Sequence, residues 1–321
     1  MIIRRALPED TPQIISLLKQ SLGESRILKS EKLWIWKHDE NVFGKSEINL
    51  AFEGEQLIGL RPFMRWNWKL NSRTLRSLRA VDTAIHPAFQ GKGVFSTLTQ
   101  ELIREVEGNY DFIFNTPNKK SRPGYYKMGW KALGRVPVYF MIKPLNGIGK
   151  KKWDPEQEFN IKNVLAVFNN NMDAIQIMMP NAIVSEKTIE IIEWRYLKCP
   201  IFSYYAIGEL SGDNSYLIIF RIIERFKLKE LRIVEFLLHP EFTDNRNFDE
   251  RFEYLLQHSG ANFISMPGTQ TLNKKNKVKL ITRLFKLKIG PVLTVMRLNS
   301  NTPQLNPDLN WFPSFGDLEL F

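Results

Sequence analysis

Ile85-His86-Pro87-Ala88-Phe89-Gln90-Gly91-Lys92-Gly93-Val94-Phe95 is the stretch on which the reading of this chain turns. It predicts a strand end, a Pro-containing turn, a glycine-rich loop, and a helix that begins Val94-Phe95-Ser96-Thr97-Leu98. Several backbone N–H groups then converge beside a helix N-terminus, where the macrodipole favours negative charge. A phosphate or pyrophosphate group is the ligand that such a loop suits.

Upstream, Ile2-Ile3-Arg4 reads as a strand, and Pro8-Glu9-Asp10-Thr11-Pro12 as a helix start whose apolar face is Ile14, Ile15, Leu17 and Leu18. A second helix is predicted from about Ser30 and carries Leu33, Trp34 and Trp36. Ile48 to Phe52, Leu57 to Trp66 and Arg76 to Ile85 read as strands, with turns at Glu53-Gly54-Glu55 and Leu70-Asn71-Ser72. Downstream of the loop come a helix to about Val106, a short buried strand at Phe112-Ile113-Phe114-Asn115, a helical stretch with Tyr125 and Tyr126, and a strand from Val136 to Ile142.

The order repeats. Trp36-Lys37 is echoed by Trp194-Arg195, and His86-Pro87-Ala88-Phe89 by His239-Pro240-Glu241-Phe242. Phe112 to Pro117 is answered by Phe263 to Pro267, and Arg135 to Met141 by Ile289 to Met296. Two copies of one α/β unit are expected, joined by a linker around 147–152. The second copy has Thr243-Asp244-Asn245-Arg246-Asn247 in place of the glycine loop. Without glycine the backbone closes less readily on a phosphate, and Asp244 repels one. One phosphate site per chain follows.

Composition bounds the function classes. The 321 residues are long for a single core, and 43% hydrophobic residues with eight Trp, nine Tyr and 22 Phe supply ample packing material. No apolar run approaches the roughly 20 residues that span a bilayer. The N-terminus has no apolar signal core, and Cys199 is the only cysteine, so no internal disulfide framework exists. A cytoplasmic location is expected. The net charge of +11 suits an anionic small molecule, an anionic membrane or nucleic acid. Most basic residues are scattered, which disfavours nucleic acid. The basic run from Lys274 to Lys288, interleaved with Val278, Leu280 and Ile281, reads as an amphipathic surface segment. It is where a membrane surface would bind.

Taken with Asn118-Lys119-Lys120-Ser121-Arg122-Pro123-Gly124-Tyr125-Tyr126-Lys127-Met128-Gly129-Trp130, the loop resembles the GNAT superfamily of acyl-CoA-dependent N-acetyltransferases. That family's loop pattern, Gln/Arg-x-x-Gly-x-Gly/Ala, is matched by Gln90, Gly91, Lys92, Gly93 and Val94, with Phe95 in the slot that the family gives to a small residue. The second stretch resembles Asn-x-x-Ala-x-x-x-Tyr-x-Lys-x-Gly-Phe. The resemblance implies an α/β (α+β) fold of two tandem GNAT-like units, each a mixed, mostly antiparallel twisted sheet flanked by helices. An acetyl-CoA-binding domain is expected at 1–146, a degenerate copy at 155–300, and an aromatic tail at 301–321 that packs on the domains.

The resemblance also implies the chemistry. A neutral amine attacks the acetyl-CoA thioester directly, with acetyl-CoA as co-substrate and no metal. The acceptor is the primary amine of a small molecule, for which an amino sugar of surface polysaccharide synthesis is one candidate. The oligomeric state is left open. Gln90 to Phe95 would hold the pyrophosphate, and Ala84 and Ile85 would offer backbone groups to the pantetheine arm. Asn118 would bond the same arm, or else cap the next helix. Tyr125 falls on the position of the acid that protonates the leaving thiolate. Asp82, on the strand beside the thioester, is either the base or the partner of a nearby arginine. Trp34 and Trp36 are either the acceptor wall or a hydrophobic anchor. Phe95 is expected to continue the apolar stripe Leu98, Leu102 and Val106. His86 and His239 occupy the same place in both copies, so a turn-stabilising role is expected for each. The alternative function is a non-catalytic acyl-CoA-binding or basic adaptor protein.

Overall fold

The computed structural model describes residues 1–24, 27–142, 155–168, 171–175, 181–243, 246–268, 284–305 and 310–318. The expected linker, Asp244 and most of the basic run lie outside the described residues; Lys286 and Lys288 lie within them.

In chain order the first strands are β1 (Ile2–Arg5), β2 (Glu47–Glu53), β3 (Gln56–Leu70), β4 (Arg73–Ala80), β5 (Ala84–Ile85), β6 (Phe112–Asn115), β7 (Lys131–Arg135) and β8 (Val138–Ile142). There follow β9 (Ala182–Ser185), β10 (Tyr205–Glu209), β11 (Tyr216–Arg225), β12 (Leu228–Leu238), β13 (Phe263–Pro267), β14 (Phe285–Leu287), β15 (Val292–Arg297) and β16 (Asn310–Phe312). The helices are α1 (Thr11–Leu22), α2 (Glu31–His38), α3 (Val94–Val106), α4 (Arg122–Lys127), α5 (Pro155–Glu158), α6 (Ile161–Val167), α7 (Ile189–Ile192) and α8 (Arg246–His258). None among the described residues is long and apolar enough to cross a membrane.

Two compact units share the chain. The first comprises Met1–Gly134, Lys198–Phe202 and Pro291–Leu309. Its sheet runs β1-β2-β3-β4-β6-β15-β7, with β5 paired to β3. The first four strands are antiparallel to one another, β4 and β6 are parallel, and β6 and β15 antiparallel. The parallel step is the one that needs a crossover, and α3 supplies it. Ser30 caps α2 by accepting the Leu33 N–H at 3.2 Å, as a serine before an apolar run should. Leu98, Leu102 and Val106 are buried on the sheet side of α3, while Ile14, Leu17 and Leu18 of α1 pack with Leu50, Leu57 and Leu60.

The second unit comprises Arg135–Leu197, Ser203–Gly290 and Asn310–Phe321. Its sheet runs β10-β11-β12-β13-β8-β14, and β16 pairs in parallel with β9. The senses of pairing from β10 to β8 are antiparallel, antiparallel, parallel and antiparallel, the succession also found from β2 to β15 in the first unit. Phe248, Phe252, Leu255 and Leu256 of α8 close its core against Ile218, Ile233 and Ile264. Within the aromatic tail, Phe312, Phe315 and Asp317 are buried in this unit.

One expected strand is elsewhere than the repeat suggested. Val138–Ile142 pairs with β13 in the second unit, and the strand beside β6 in the first unit is β15, from the far half of the chain. The segment 1–146 is therefore not coextensive with a sheet.

Candidate active site

The site is built where the strand leading to the glycine loop breaks. Phe63 pairs with Ala80 and Leu60 with Ala84, so Arg61 and Pro62 stand opposite Val81, Asp82 and Thr83. One extra residue on one strand is a β-bulge, a device that bends a strand and re-aims its side chains. Asp82 takes φ +43° there, a left-handed conformation that aspartate tolerates better than most residues. The β4–β6 ladder stops at Arg79 and Phe114. Beyond it Ala84 and Ile85 continue along β3 alone, and their other edge has no strand partner among the described residues.

The loop that follows is open. Gly91 and Gly93 have φ +77° and +83°, and the space over each α-carbon is empty to 4 Å. No backbone carbonyl of the described residues takes the amides of Gly91, Lys92, Gly93, Val94 or Phe95. Gln90 braces the loop by donating from Nε2 to the Ile85 carbonyl at 3.2 Å, and Lys92 lies 4.9 Å from the Phe89 ring centre. Free donors, open space and the start of the thirteen-residue helix α3 fit a pyrophosphate. His86 accepts the Ala88 N–H on Nδ1 at 3.3 Å, and His239 accepts that of Glu241 at 3.1 Å. Both stabilise turns.

Tyr125 is buried on α4 with its ring edge-on to Phe95, 5.4 Å between centres, and to Trp130 at 5.1 Å. Phe95 thus joins the loop to the tyrosine, its ring lying over Gly124. The Tyr125 oxygen accepts a hydrogen bond from Arg61 Nη1 at 2.8 Å, and the same nitrogen donates to Thr83 Oγ1. Tyr126, its neighbour on the same helix, is exposed. Asn118 gives its side-chain oxygen to the N–H groups of Lys120 and Ser121, both at 2.9 Å. That oxygen braces the turn that leads into α4, whose N-cap position is Ser121.

Asp82 is an ion-pair partner, of a lysine rather than the arginine named as the alternative. Its Oδ2 lies 2.6 Å from Lys37 Nζ and 3.2 Å from His38 Nε2, and His38 Nδ1 lies 2.9 Å from Ser46 Oγ. Burial pushes the Asp82 carboxyl up, but the facing Lys37 and His38 outweigh it and hold the carboxyl well below the usual carboxylate range. Trp34 and Trp36 are buried, Trp34 against Leu17, Leu50 and the His38 ring. The same helix brings Lys37 and His38 to Asp82. Among the described residues no cluster of His, Cys, Asp and Glu has the spacing to hold a metal ion.

Residues 2–133 match the family model described as an acetyltransferase (GNAT) domain. No curated protein sequence matches the chain significantly. Among solved structures, a GCN5-related N-acetyltransferase from Anabaena variabilis aligns over 93% of this chain and 73% of its own, with TM-score 0.64 at 14% identity. A conserved protein from Enterococcus faecalis, titled a probable N-acyltransferase, aligns over 94% and 73% with TM-score 0.63 at 12% identity. A GCN5-related N-acetyltransferase from Kribbella flavida aligns over 94% and 72% with TM-score 0.58 at 12% identity. At these identities the structures speak for the fold, and the family model for the first unit. Residues 2–133 thus form a GNAT acetyltransferase domain by the family model, and the chain shares the fold of these N-acetyltransferase structures.

Proposed function

We propose that this enzyme moves an acetyl group from acetyl-CoA to the primary amine of a small molecule within one ternary complex. The observation that carries the reading is the open Gly91–Gly93 loop at the start of α3, whose Phe95 ring packs edge-on with the ring of Tyr125. The loop amides hold the pyrophosphate, and the edge of Ala84–Ile85 that no strand of the described residues covers offers backbone groups to the pantetheine arm. Bound there, acetyl-CoA supplies an activated thioester.

The amine lone pair attacks the thioester carbonyl carbon, the C–N bond forms, and the now cationic nitrogen gives up one proton to water. The C–S bond then breaks, its electron pair goes to sulfur, and the Tyr125 hydroxyl gives that sulfur its proton. Tyr125 recovers a proton from water. Asp82, ion-paired and held low, is a weak base; it suits attracting an ammonium toward the bulge while the amine loses its proton to water. The acceptor panel begins with amino sugars. The second unit lacks the glycine loop and serves as a degenerate copy, for which its matching succession of strands is the support.

The test is release of free CoA thiol from acetyl-CoA, read with a thiol-reactive dye, alongside a thermal shift with CoA. A micromolar-range ligand at about 100 Kd should raise the melting temperature by several degrees. Absence of both stabilisation and thiol release across the panel overturns the reading. Full turnover by Tyr125→Phe removes the acid assignment alone.

A further inference from the structure

We infer that Arg61 is the positioning residue that dictates where the Tyr125 hydroxyl points its proton; this rests on the reading of Tyr125 as the acid. Arg61 sits in mid-β3, opposite the bulge, with 0% of its surface exposed. Its guanidinium lies over three rings, 4.6 Å from the centre of Phe63, 5.5 Å from Phe95 and 5.3 Å from Tyr125. Among the described residues no carboxylate pairs with it, and its Nε and Nη2 are buried without a hydrogen-bond partner. Its bonded contacts are Thr83 and Tyr125, both through Nη1.

A buried guanidinium with two idle nitrogens and no counter-charge is costly to keep. Filling the space between Phe63, Phe95 and Tyr125 requires only a methionine or leucine. What the arginine adds is chemical. A guanidinium donates and never accepts. The 2.8 Å contact therefore occupies a lone pair of the phenol oxygen, and the phenol proton must be aimed at some other acceptor. As the proton leaves for sulfur, negative charge grows on the same oxygen, and the charge-assisted Arg61 contact turns into an ion pair, hence stronger. The strengthening falls in the transition state, where it raises kcat without tightening the ground-state complex. Thr83, the other partner of Nη1, belongs to the bulge beside Asp82. One atom thereby ties the acid on α4 to the bulge.

The experiment compares Arg61→Met and Arg61→Lys in the native and Tyr125→Phe backgrounds. Thiol release from acetyl-CoA gives kcat and KM, and thermal melting gives stability. Arg61→Met should lower kcat about tenfold or more, with KM for acetyl-CoA within about twofold. Its melting temperature should hold or rise, since an apolar side chain replaces an unpaired buried charge. In the Tyr125→Phe background the same substitution should change kcat by less than about twofold. Arg61→Lys, which keeps a donor, should recover part of the rate. An undiminished kcat in Arg61→Met overturns the inference. So does an equal loss in both backgrounds, or a loss that tracks a falling melting temperature and is not relieved by lysine. Failure of the native enzyme to release thiol overturns the acyl-transfer reading itself; full turnover by Tyr125→Phe overturns the acid assignment, and this inference falls with either.

Discussion

Asp82→Asn tests what the bulge is for. Asparagine tolerates φ +43° as well as aspartate and keeps an acceptor, so the change removes charge and little else. It takes the carboxylate away from Lys37 Nζ at 2.6 Å and His38 Nε2 at 3.2 Å, on side chains 9% and 1% exposed. Stranding a buried charge costs roughly 3–5 kcal/mol. Lys37 and His38 each have further contacts, which sets the expectation at the low end, about 3 kcal/mol, or about 6–12 °C in melting temperature. The sign with pH follows from the direction of the shift. A carboxyl held below its unfolded value near 4 contributes stability that is full above about pH 4 and is lost as pH falls toward the folded value. The gap between native and variant should accordingly be widest at neutral pH and narrow on acidification, with melting followed by circular dichroism. Asp82→Ala should lose about 1 kcal/mol more, because alanine strains at positive φ. Lys37→Met with Asp82→Asn should recover much of the loss, having no stranded ammonium. A single variant within about 0.5 kcal/mol of native at pH 7, or a double variant no better than the single, refutes the ion-pair account. If the recovered double variant also keeps full thiol release, Asp82 has no part in the chemistry.

Gly93→Ala should cost about 1 kcal/mol of stability through its positive φ, and weaken CoA about tenfold by titration calorimetry, as a methyl enters the space beside the free amides; unchanged affinity removes the loop from the site. Tyr110 donates to Glu47 at 2.8 Å, and burial, then that bond, push its phenol up to about 12. Its contribution, about 2 kcal/mol, is present below pH 10 and lost as pH rises from 10 toward 12, so Tyr110→Phe should flatten that alkaline limb of the melting curve. In the second unit Lys187 bonds Glu235 at 2.7 Å and Asp317 at 2.8 Å. Lys187→Met should cost about 3–5 kcal/mol in urea unfolding by leaving two buried carboxylates face to face.

The glycine loop and the tyrosine were legible because their signals are local. Gln90 to Phe95 contains the turn, the two left-handed positions and the helix start within six residues, and Tyr125 follows in a fixed motif register. The shared place of His86 and His239 likewise gave their turn-stabilising role. What sequence missed is long-range. Lys37 and His38 reach Asp82 across some forty residues, and nothing in the spacing of either segment points to the other. Trp34 and Trp36 lie on a helix too short for its apolar period to separate core from site. Arg61 left one signal that went unread: a lone cation within Leu57-Ile58-Gly59-Leu60-Arg61-Pro62-Phe63-Met64, an otherwise apolar strand. Such a residue either meets a buried partner or disrupts the sheet.

The crossed strands also had a signal, in the prolines. A hairpin from β7 to β8 would leave two residues, Val136 and Pro137, for its turn. Tight two-residue turns need positive φ, which proline cannot adopt, and the residue before a proline is driven to extended backbone. The chain therefore does not fold back beside β7, and it enters the second sheet as β8. Gly290-Pro291 repeats the device between β14 and β15, so the returning segment likewise does not fold back, and it enters the first sheet. Where Gly290 passes Val136, a β-carbon on Gly290 would stand 2.2 Å from the Val136 carbonyl oxygen, and Arg135 donates to the Gly290 carbonyl at 3.0 Å. Glycine at 290 is thus a demand of close approach between backbones. The repeat names pairs of segments in matching order. It was silent on which sheet each strand joins, because an antiparallel apolar strand of five or six residues fits beside β6 and β13 alike. Connection chemistry decides between them, and here it makes each sheet depend on both halves of the chain.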